Sequence, residues 1–146
     1  MQIPNNGFVV VADGRKSLFF RNEGDGVYPN LSVEKKEVRH NPAHHEQASD
    51  LAGGSMKTMD GRGGSMDEVD FHQLEEDRFA ADMAELLKER ALRNEYDSLI
   101  VVAPARTLGE LRKHYHKEVE KRLTGEIAKD LTGHPVAEIE RIIGDQ

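Results

Sequence analysis

The sequence contains no cysteine and no long apolar run. Without cysteine, the chain can form no disulfide bond and offers no thiolate as a nucleophile or metal ligand. No segment reaches the roughly 18 consecutive apolar residues that predict a transmembrane helix. The first residues also lack the basic start of a signal peptide. We therefore expect a cytoplasmic protein that does not associate with a membrane.

Positive charge is also scarce, because 20 Lys and Arg residues stand against 27 Asp and Glu residues, a net charge of −7. Proteins that bind nucleic acid without sequence preference are usually basic, since they neutralise phosphates. The charges are unevenly distributed: residues 65–97 are mainly acidic and residues 106–122 mainly basic. The basic segment is predicted to be either an RNA-binding face or an ordinary solvated helix face.

The pattern of apolar residues predicts a single mixed α/β domain over all 146 residues. Alternating and β-branched runs joined by an Asp-Gly turn indicate a three-stranded antiparallel meander over residues 7–13, 17–22 and 27–38. A long helix is predicted from Met66 to Arg93, with Ser65 as its N-cap. The remaining elements are a buried strand at 99–103, a helix from Thr107 to a cap at Gly125, a strand at 126–131 and a helix from Pro135. This order predicts a ribonuclease-H-like α/β fold, with a meander followed by α-β-α-β-α and a five-stranded mixed sheet flanked by helices.

Residues 40–66 are almost free of aliphatic side chains and contain the motif GGSM twice. A loop of this length inside a domain is usually either functional or disordered. We consider a flexible tether, a tip that becomes ordered on a partner, and a catalytic tip. The candidate tip residues are Gly53, Gly54, Ser55, Gly63 and Gly64. The segment lacks the Gly-Lys-Ser/Thr ending of a phosphate-binding loop and does not directly follow a strand.

Histidines in the same loop raise the question of a metal site. The candidate ligands are His40, His44 and His45, together with Asp13 at the end of the first strand, because imidazole and carboxylate groups bind transition metals. Their spacing is not that of an H-E-x-x-H helix, and solvated loop histidines explain it equally simply. Two-metal nucleases need several converging carboxylates, whereas the central strand ends in Ala103-Pro104. We therefore expect no metal and no cofactor.

The segment APARTLGELRKHYHK is the strongest candidate for a binding site. It follows the buried strand, where open α/β sheets commonly bind ligands, and a helix N-terminus there offers N–H groups to an anion. The candidate RNA- or anion-binding residues are Arg106, Thr107, Gly109, Arg112, Lys113 and Lys117. The alternative is that Pro104 and Thr107 only form a turn and cap a helix.

Several segments taken together resemble one bacterial family. They are FVVVADGRKSLFF, SDLAGG, EEDRFAADMAELL, DSLIVVAPARTLGELRKHYHKEV and EIAKDLTGHPVAEIERII. They are similar to the host attachment proteins, described as required for attachment to host cells, a bacterial branch of the archaeo-eukaryotic release factor superfamily. The resemblance implies a ribonuclease-H-like fold and a role at a surface or at the ribosome, without an established reaction.

In release factors of this superfamily, a Gly-Gly-Gln tip enters the peptidyl-transferase centre. Here Gly53-Gly54 and Gly63-Gly64 are each followed by serine, so the release motif is missing. The resemblance therefore favours a non-catalytic protein that contacts the ribosome or RNA through the basic helix. One alternative is a small metal-dependent hydrolase or nuclease that uses Asp13 and the loop histidines. Another is a subunit of a larger assembly, docked through the acidic helix face.

Overall fold

A five-stranded mixed sheet forms the centre of the protein. The computed structural model describes residues 1–38 and 62–146, with side chains from residue 71 onward in the second range. The strands are β1 (Phe8–Ala12), β2 (Lys16–Asn22), β3 (Leu31–Val38), β4 (Leu99–Ala103) and β5 (Leu123–Ala128). Their spatial order is β3-β2-β1-β4-β5, in which the first three are antiparallel and β1, β4 and β5 are parallel. The predicted fold class is confirmed.

Helices cover both faces of this sheet. They are α1 (Arg62–Leu92), α2 (Ala105–Arg112), α3 (Lys117–Arg122) and α4 (Val136–Gly144). One core layer lies between the sheet and α1–α3, and a second lies between the sheet and α4. Every residue of β1 and β4 is buried, which explains their near-continuous apolar sequences. Within the described residues, no helix is both long and apolar enough to cross a membrane.

The long helix begins earlier than the sequence predicts. Because α1 starts at Arg62, Gly63, Gly64 and Ser65 lie in its first turns. The predictions that the two glycines belong to the loop and that Ser65 is the N-cap are therefore wrong. A glycine inside a helix is about 1 kcal/mol less favourable than alanine. The helix can still include both glycines, because adding a residue to an existing helix is easier than starting a helix.

The rest of the predicted loop, residues 40–61, lies outside the described residues. That range includes the candidates His40, His44, His45, Gly53, Gly54 and Ser55. Their predicted roles stay predictions.

The predicted helix from Thr107 to Gly125 is wrong, since it is divided into α2, α3 and the start of β5. The His116 side chain accepts a hydrogen bond from Glu118 N at 3.0 Å and so caps a new helix. Gly125 is paired with Ile100 in the sheet and does not end a helix. A histidine side chain competing for the backbone is a weak sequence signal, because N-caps are usually Ser, Thr, Asp or Asn.

Tyr96 connects α1 to the central strands. Its ring stacks on Phe8, with centroids 5.1 Å apart, and its hydroxyl donates a 2.8 Å hydrogen bond to Leu87 O. Burial of the ring raises the pKa of Tyr96 to about 12. In the unfolded chain the phenol ionises near its usual pKa of 10.0.

Above about pH 10, ionisation of Tyr96 stabilises the unfolded state, whereas the buried phenol of the folded state stays protonated up to about pH 12. We therefore expect the free energy of unfolding to fall as the pH rises from about 10 to 12. Tyr96→Phe should lower stability at pH 7 by about 1 kcal/mol through loss of one hydrogen bond. The same variant should show a shallower alkaline decline. Urea unfolding at several pH values measures both effects, and an unchanged alkaline decline would contradict this assignment.

Candidate functional site

The carboxyl ends of the parallel strands β1, β4 and β5 meet at one edge of the sheet. We call this the carboxyl edge, made of residues 13–16, 104–106 and 129–134. Open α/β sheets commonly bind ligands beyond the carboxyl ends of their strands. Three of the predicted site residues, Asp13, Arg106 and Thr107, lie at or beside this edge.

Asp13 holds the turn between β1 and β2. Its Oδ1 accepts hydrogen bonds from the backbone N–H groups of Arg15 and Lys16, both at 2.7 Å. Its Oδ2 lies 3.2 Å from the Thr132 hydroxyl, whose single proton is shared with the nearer acceptor Asp130 Oδ1 at 2.7 Å. Asp13 therefore ties the β-hairpin to the segment between β5 and α4.

The glycine after Asp13 admits a side chain from α1. A Cβ atom on Gly14 would lie 2.7 Å from Glu76 Cδ, closer than such contacts normally come. Among residues 1–38 and 71–146, no three His, Asp or Glu side chains lie close enough together to hold one metal ion. The motif VVADG is thus explained by the turn and by the approach of α1.

Two of the predicted RNA-binding cations are paired within the chain. Arg112 Nη2 lies 2.8 Å from Glu126 Oε1, and this hydrogen-bonded pair raises the pKa of Arg112. Lys113 Nζ lies 3.0 Å from Glu110 Oε1, and its hydrogen bond lowers the pKa of Glu110. A phosphate at either cation would have to compete with a carboxylate that is already present.

Other cations have no ion pair with any carboxylate in the described part of the chain. Three of them are exposed and follow the three parallel strands: Arg15 follows β1, Arg106 follows β4 and Lys129 follows β5. Lys117, at the start of α3, is also exposed and unpaired there. Only Arg106 and Lys117 of this set were identified from the sequence, because Arg15 and Lys129 lie far from Arg106 along the chain and come to the same edge only through the parallel strands.

The backbone donors at the start of α2 lie earlier than predicted. Since α2 begins at Ala105 with Pro104 as its N-cap, the N–H of Leu108 already donates to Pro104 O at 2.9 Å. Gly109 lies in the second turn and cannot offer a free helix-terminal N–H, so that prediction is wrong. Thr107 lies in the first turn, where N–H groups have no partner within the helix.

A second charged cluster lies on the α1 side of the sheet and was not predicted from the sequence. In β3, Lys35 is paired with Phe19 and Val33 with Phe20, so Glu34 is the extra residue of a β-bulge. The bulge directs Glu34 toward two arginines, Arg21 at 3.1 Å and Arg90 at 2.6 Å.

The Glu34 cluster packs on an aromatic ring. The guanidinium groups of Arg21 and Arg90 lie 5.2 and 4.5 Å from the centre of the Phe8 ring, and Arg90 also pairs with Glu95 at 2.7 Å. Partial burial opposes ionisation of Glu34, but hydrogen bonds from both arginines lower its pKa overall. Because its charges are matched in this way, we assign the cluster a structural role.

The comparison with known proteins agrees with this architecture. Residues 6–143 match the sequence model of bacterial archaeo-eukaryotic release factor family 12, a range that runs from before β1 into α4 and includes the carboxyl edge. No curated protein matches the chain. The predicted superfamily branch is confirmed, whereas the likeness to host attachment proteins stays a prediction. The chain belongs to bacterial archaeo-eukaryotic release factor family 12.

Proposed function

We propose that this protein is a non-catalytic member of its family that binds RNA, with the ribosome as the source of that RNA. The observation that carries the proposal is the row of exposed cations at the carboxyl edge, Arg15, Arg106 and Lys129, which have no ion pair with any described carboxylate. The family match supports a ribosomal setting, since the family is named for release factors.

The geometry of the sheet supports phosphate binding at this row. Adjacent strands lie about 4.8 Å apart, so the residues after β1, β4 and β5 span a strip roughly 10 Å wide. An arginine binds a phosphate through two parallel hydrogen bonds, and Arg106 lies beside the unpaired N–H groups at the start of α2. A net charge of −7 opposes general attraction to RNA, so binding would depend on this local surface.

Binding without hydrolysis is favoured by the missing Gly-Gly-Gln motif. At the carboxyl edge, the carboxylate of Asp13 is engaged by backbone N–H groups and Thr132. We propose that any effect on host attachment is indirect and follows from the RNA-binding role. We further propose that residues 40–61 contact the ribosome.

The test is co-sedimentation with ribosomes and titration with single-stranded RNA, each at low and moderate salt. The variant Arg106→Ala/Lys129→Ala should bind at least about tenfold more weakly at low salt, since two phosphate contacts are lost. The slope of log affinity against log salt should become shallower by about 1.4, which is about 0.7 for each of the two lost contacts. A variant without residues 41–60 tests the contribution of that segment.

The matched control is Arg78→Ala/Lys88→Ala, which removes the same charge from two ion-paired positions on α1, one exposed and one half-buried. It should bind as the unmodified protein does. Equal losses in both variants, or no sedimentation even at low salt, would contradict the proposal. In that case the acidic face of α1 would become the candidate docking surface for a protein partner.

A further inference from the structure

A loop between β2 and β3 presents apolar side chains to solvent. We call residues 23–30 the Tyr28 loop. Val27 and Tyr28 are 69% and 79% exposed, the two most exposed large apolar residues in the described part of the chain. Exposed tyrosines are frequent anchors of protein interfaces, because a large rigid ring can be buried there at little entropic cost.

The Tyr28 loop is held in place by hydrogen bonds to the buried side chain of Asn22 and by hydrogen bonds within the loop. Asn22, which is fully buried, accepts from Gly24 N at 2.9 Å and from Asn30 N at 2.8 Å, and its amide donates to Ile3 O at 2.8 Å. Asp25 Oδ1 accepts from the N–H groups of Val27 and Tyr28 at 2.9 and 2.7 Å. These bonds hold the backbone of the loop that carries the exposed pair.

An open groove of about 570 Å³ lies beside the Tyr28 loop. Its apolar lining includes Ile3, Val27 and Pro29, together with Ala137 and Gly144 of α4. A side chain at Gly144 would meet no atom within 4 Å, so the groove is open at that point. The structure therefore places a projecting aromatic ring beside an open groove that is lined by both apolar and polar groups.

The rim of the groove carries both signs of charge. At the surface, Arg141 lies 3.4 Å from Asp145 and 3.6 Å from Glu138, which is outside the groove lining, so a second copy would have to compete with these exposed pairs. Glu140 also lines the groove, and its Oε2 accepts a hydrogen bond from Leu31 N at 2.8 Å. A two-fold dimer needs a patch that is complementary to itself, so that each feature meets its complement on the other copy. A ring next to a groove, bordered by a base and two acids, meets that requirement.

We infer that the Tyr28 loop and the adjacent groove form a homodimer interface, in which Tyr28 of each copy occupies the groove of the other. The two-fold arrangement brings Arg141 of one rim near the acidic side chains of the other. The patch is small, so the dimer belongs to the weak class of interfaces. The inference is independent of RNA binding, because the carboxyl edge lies elsewhere on the sheet.

Sedimentation velocity from about 1 µM to about 500 µM, a range suited to a weak interface, tests this inference. The unmodified protein should change from monomer to dimer without forming larger species. Tyr28→Ser and Ala137→Arg, which remove the ring and fill the groove, should each weaken dimerisation at least about tenfold. Leu92→Ser is the matched control, because Leu92 is 56% exposed at the end of α1 on the opposite face of the sheet.

Mixing the two variants tests the reciprocal geometry. Neither variant alone can place a ring in a groove, but a mixed dimer has one intact contact, with Tyr28 of the Ala137→Arg chain in the free groove of the Tyr28→Ser chain. The mixture should therefore dimerise more strongly than either variant alone. A second readout is acrylamide quenching of tyrosine fluorescence, which should fall on dimerisation because Tyr96 and Tyr115 are not exposed and the chain has no tryptophan.

Three results would overturn the inference. They are a monomer throughout the concentration range, a dimer that Tyr28→Ser leaves unchanged, and open-ended growth into larger species. Circular dichroism of each variant establishes that it is folded, as expected for substitutions at exposed positions.

Discussion

Replacing Asn22 with alanine should lower the free energy of unfolding by about 3 kcal/mol. Asn22 is fully buried at the end of β2, and alanine would leave Gly24 N and Asn30 N without their acceptor. It would also leave Ile3 O without its donor. An unsatisfied buried polar group costs about 1–3 kcal/mol, and several share this site. Chemical denaturation at pH 7 measures the change.

The matched control for that prediction is Asn5→Ala. Asn5 is exposed and donates one hydrogen bond, to Gly24 O of the same loop. Because water can replace that bond, the loss should stay below about 1 kcal/mol. Equal losses in the two variants would show that the buried position of Asn22 has no special importance. Amide hydrogen exchange should be faster in the Tyr28 loop of Asn22→Ala than in the unmodified protein, because its anchoring bonds are gone.

Replacing Arg90 with alanine should lower the free energy of unfolding by about 2 kcal/mol. The variant loses a cation–π contact and two ion pairs, and solvent partly screens those ion pairs. The Arg90 guanidinium lies over Phe8 and pairs with Glu34 and Glu95. The exposed pair between Arg78 and Glu75 supplies the control. Arg78→Ala should cost no more than about 0.5 kcal/mol, as for most surface ion pairs.

The Arg90 prediction has a pH signature. The pKa of Glu34 is lowered by Arg21 and Arg90 against the opposing effect of burial, and the pKa of Glu95 is lowered first by its hydrogen bond from Arg90. A carboxyl whose pKa is lower in the folded state stabilises the fold above its usual pKa of 4.5. That stabilisation is lost as the pH falls through the lowered value.

The stability difference between Arg90→Ala and the unmodified protein should therefore shrink as the pH falls below about 4.5. Thermal or urea unfolding between pH 3 and pH 7 measures it. A difference that is constant over this range would contradict the ion-pair explanation and leave only the loss of packing on Phe8.

The buried central strands were predictable from the sequence, whereas the predicted strands at 126–131 and 27–38 are found at Leu123–Ala128 and Leu31–Val38. The runs FVVVA and LIVVA are apolar throughout, and such runs indicate strands buried on both faces. The Asp-Gly pair correctly placed the first hairpin. Helix ends were less predictable, as α1 and α2 show, because several residues near an end can serve as caps and the packed structure selects among them.

The candidate site was predictable only in part. The sequence identified the segment after β4, and Arg106 lies there at the carboxyl edge. It could not separate Arg106 from Arg112, because the partner of Arg112 is Glu126 on β5. Ion pairs between elements depend on which strands are neighbours, and the spacing of residues along the chain does not contain that information.

The sequence by itself determined the fold class, the family and the absence of a Gly-Gly-Gln motif. Apolar periodicity and short motifs are local properties, so they can be recognised without coordinates. The tertiary structure decided which cations lack an ion-pair partner among the described residues, where the bulge at Glu34 points and how Asn22 holds the Tyr28 loop. Each of these depends on contacts between residues distant in sequence, which exist only after the strands have paired.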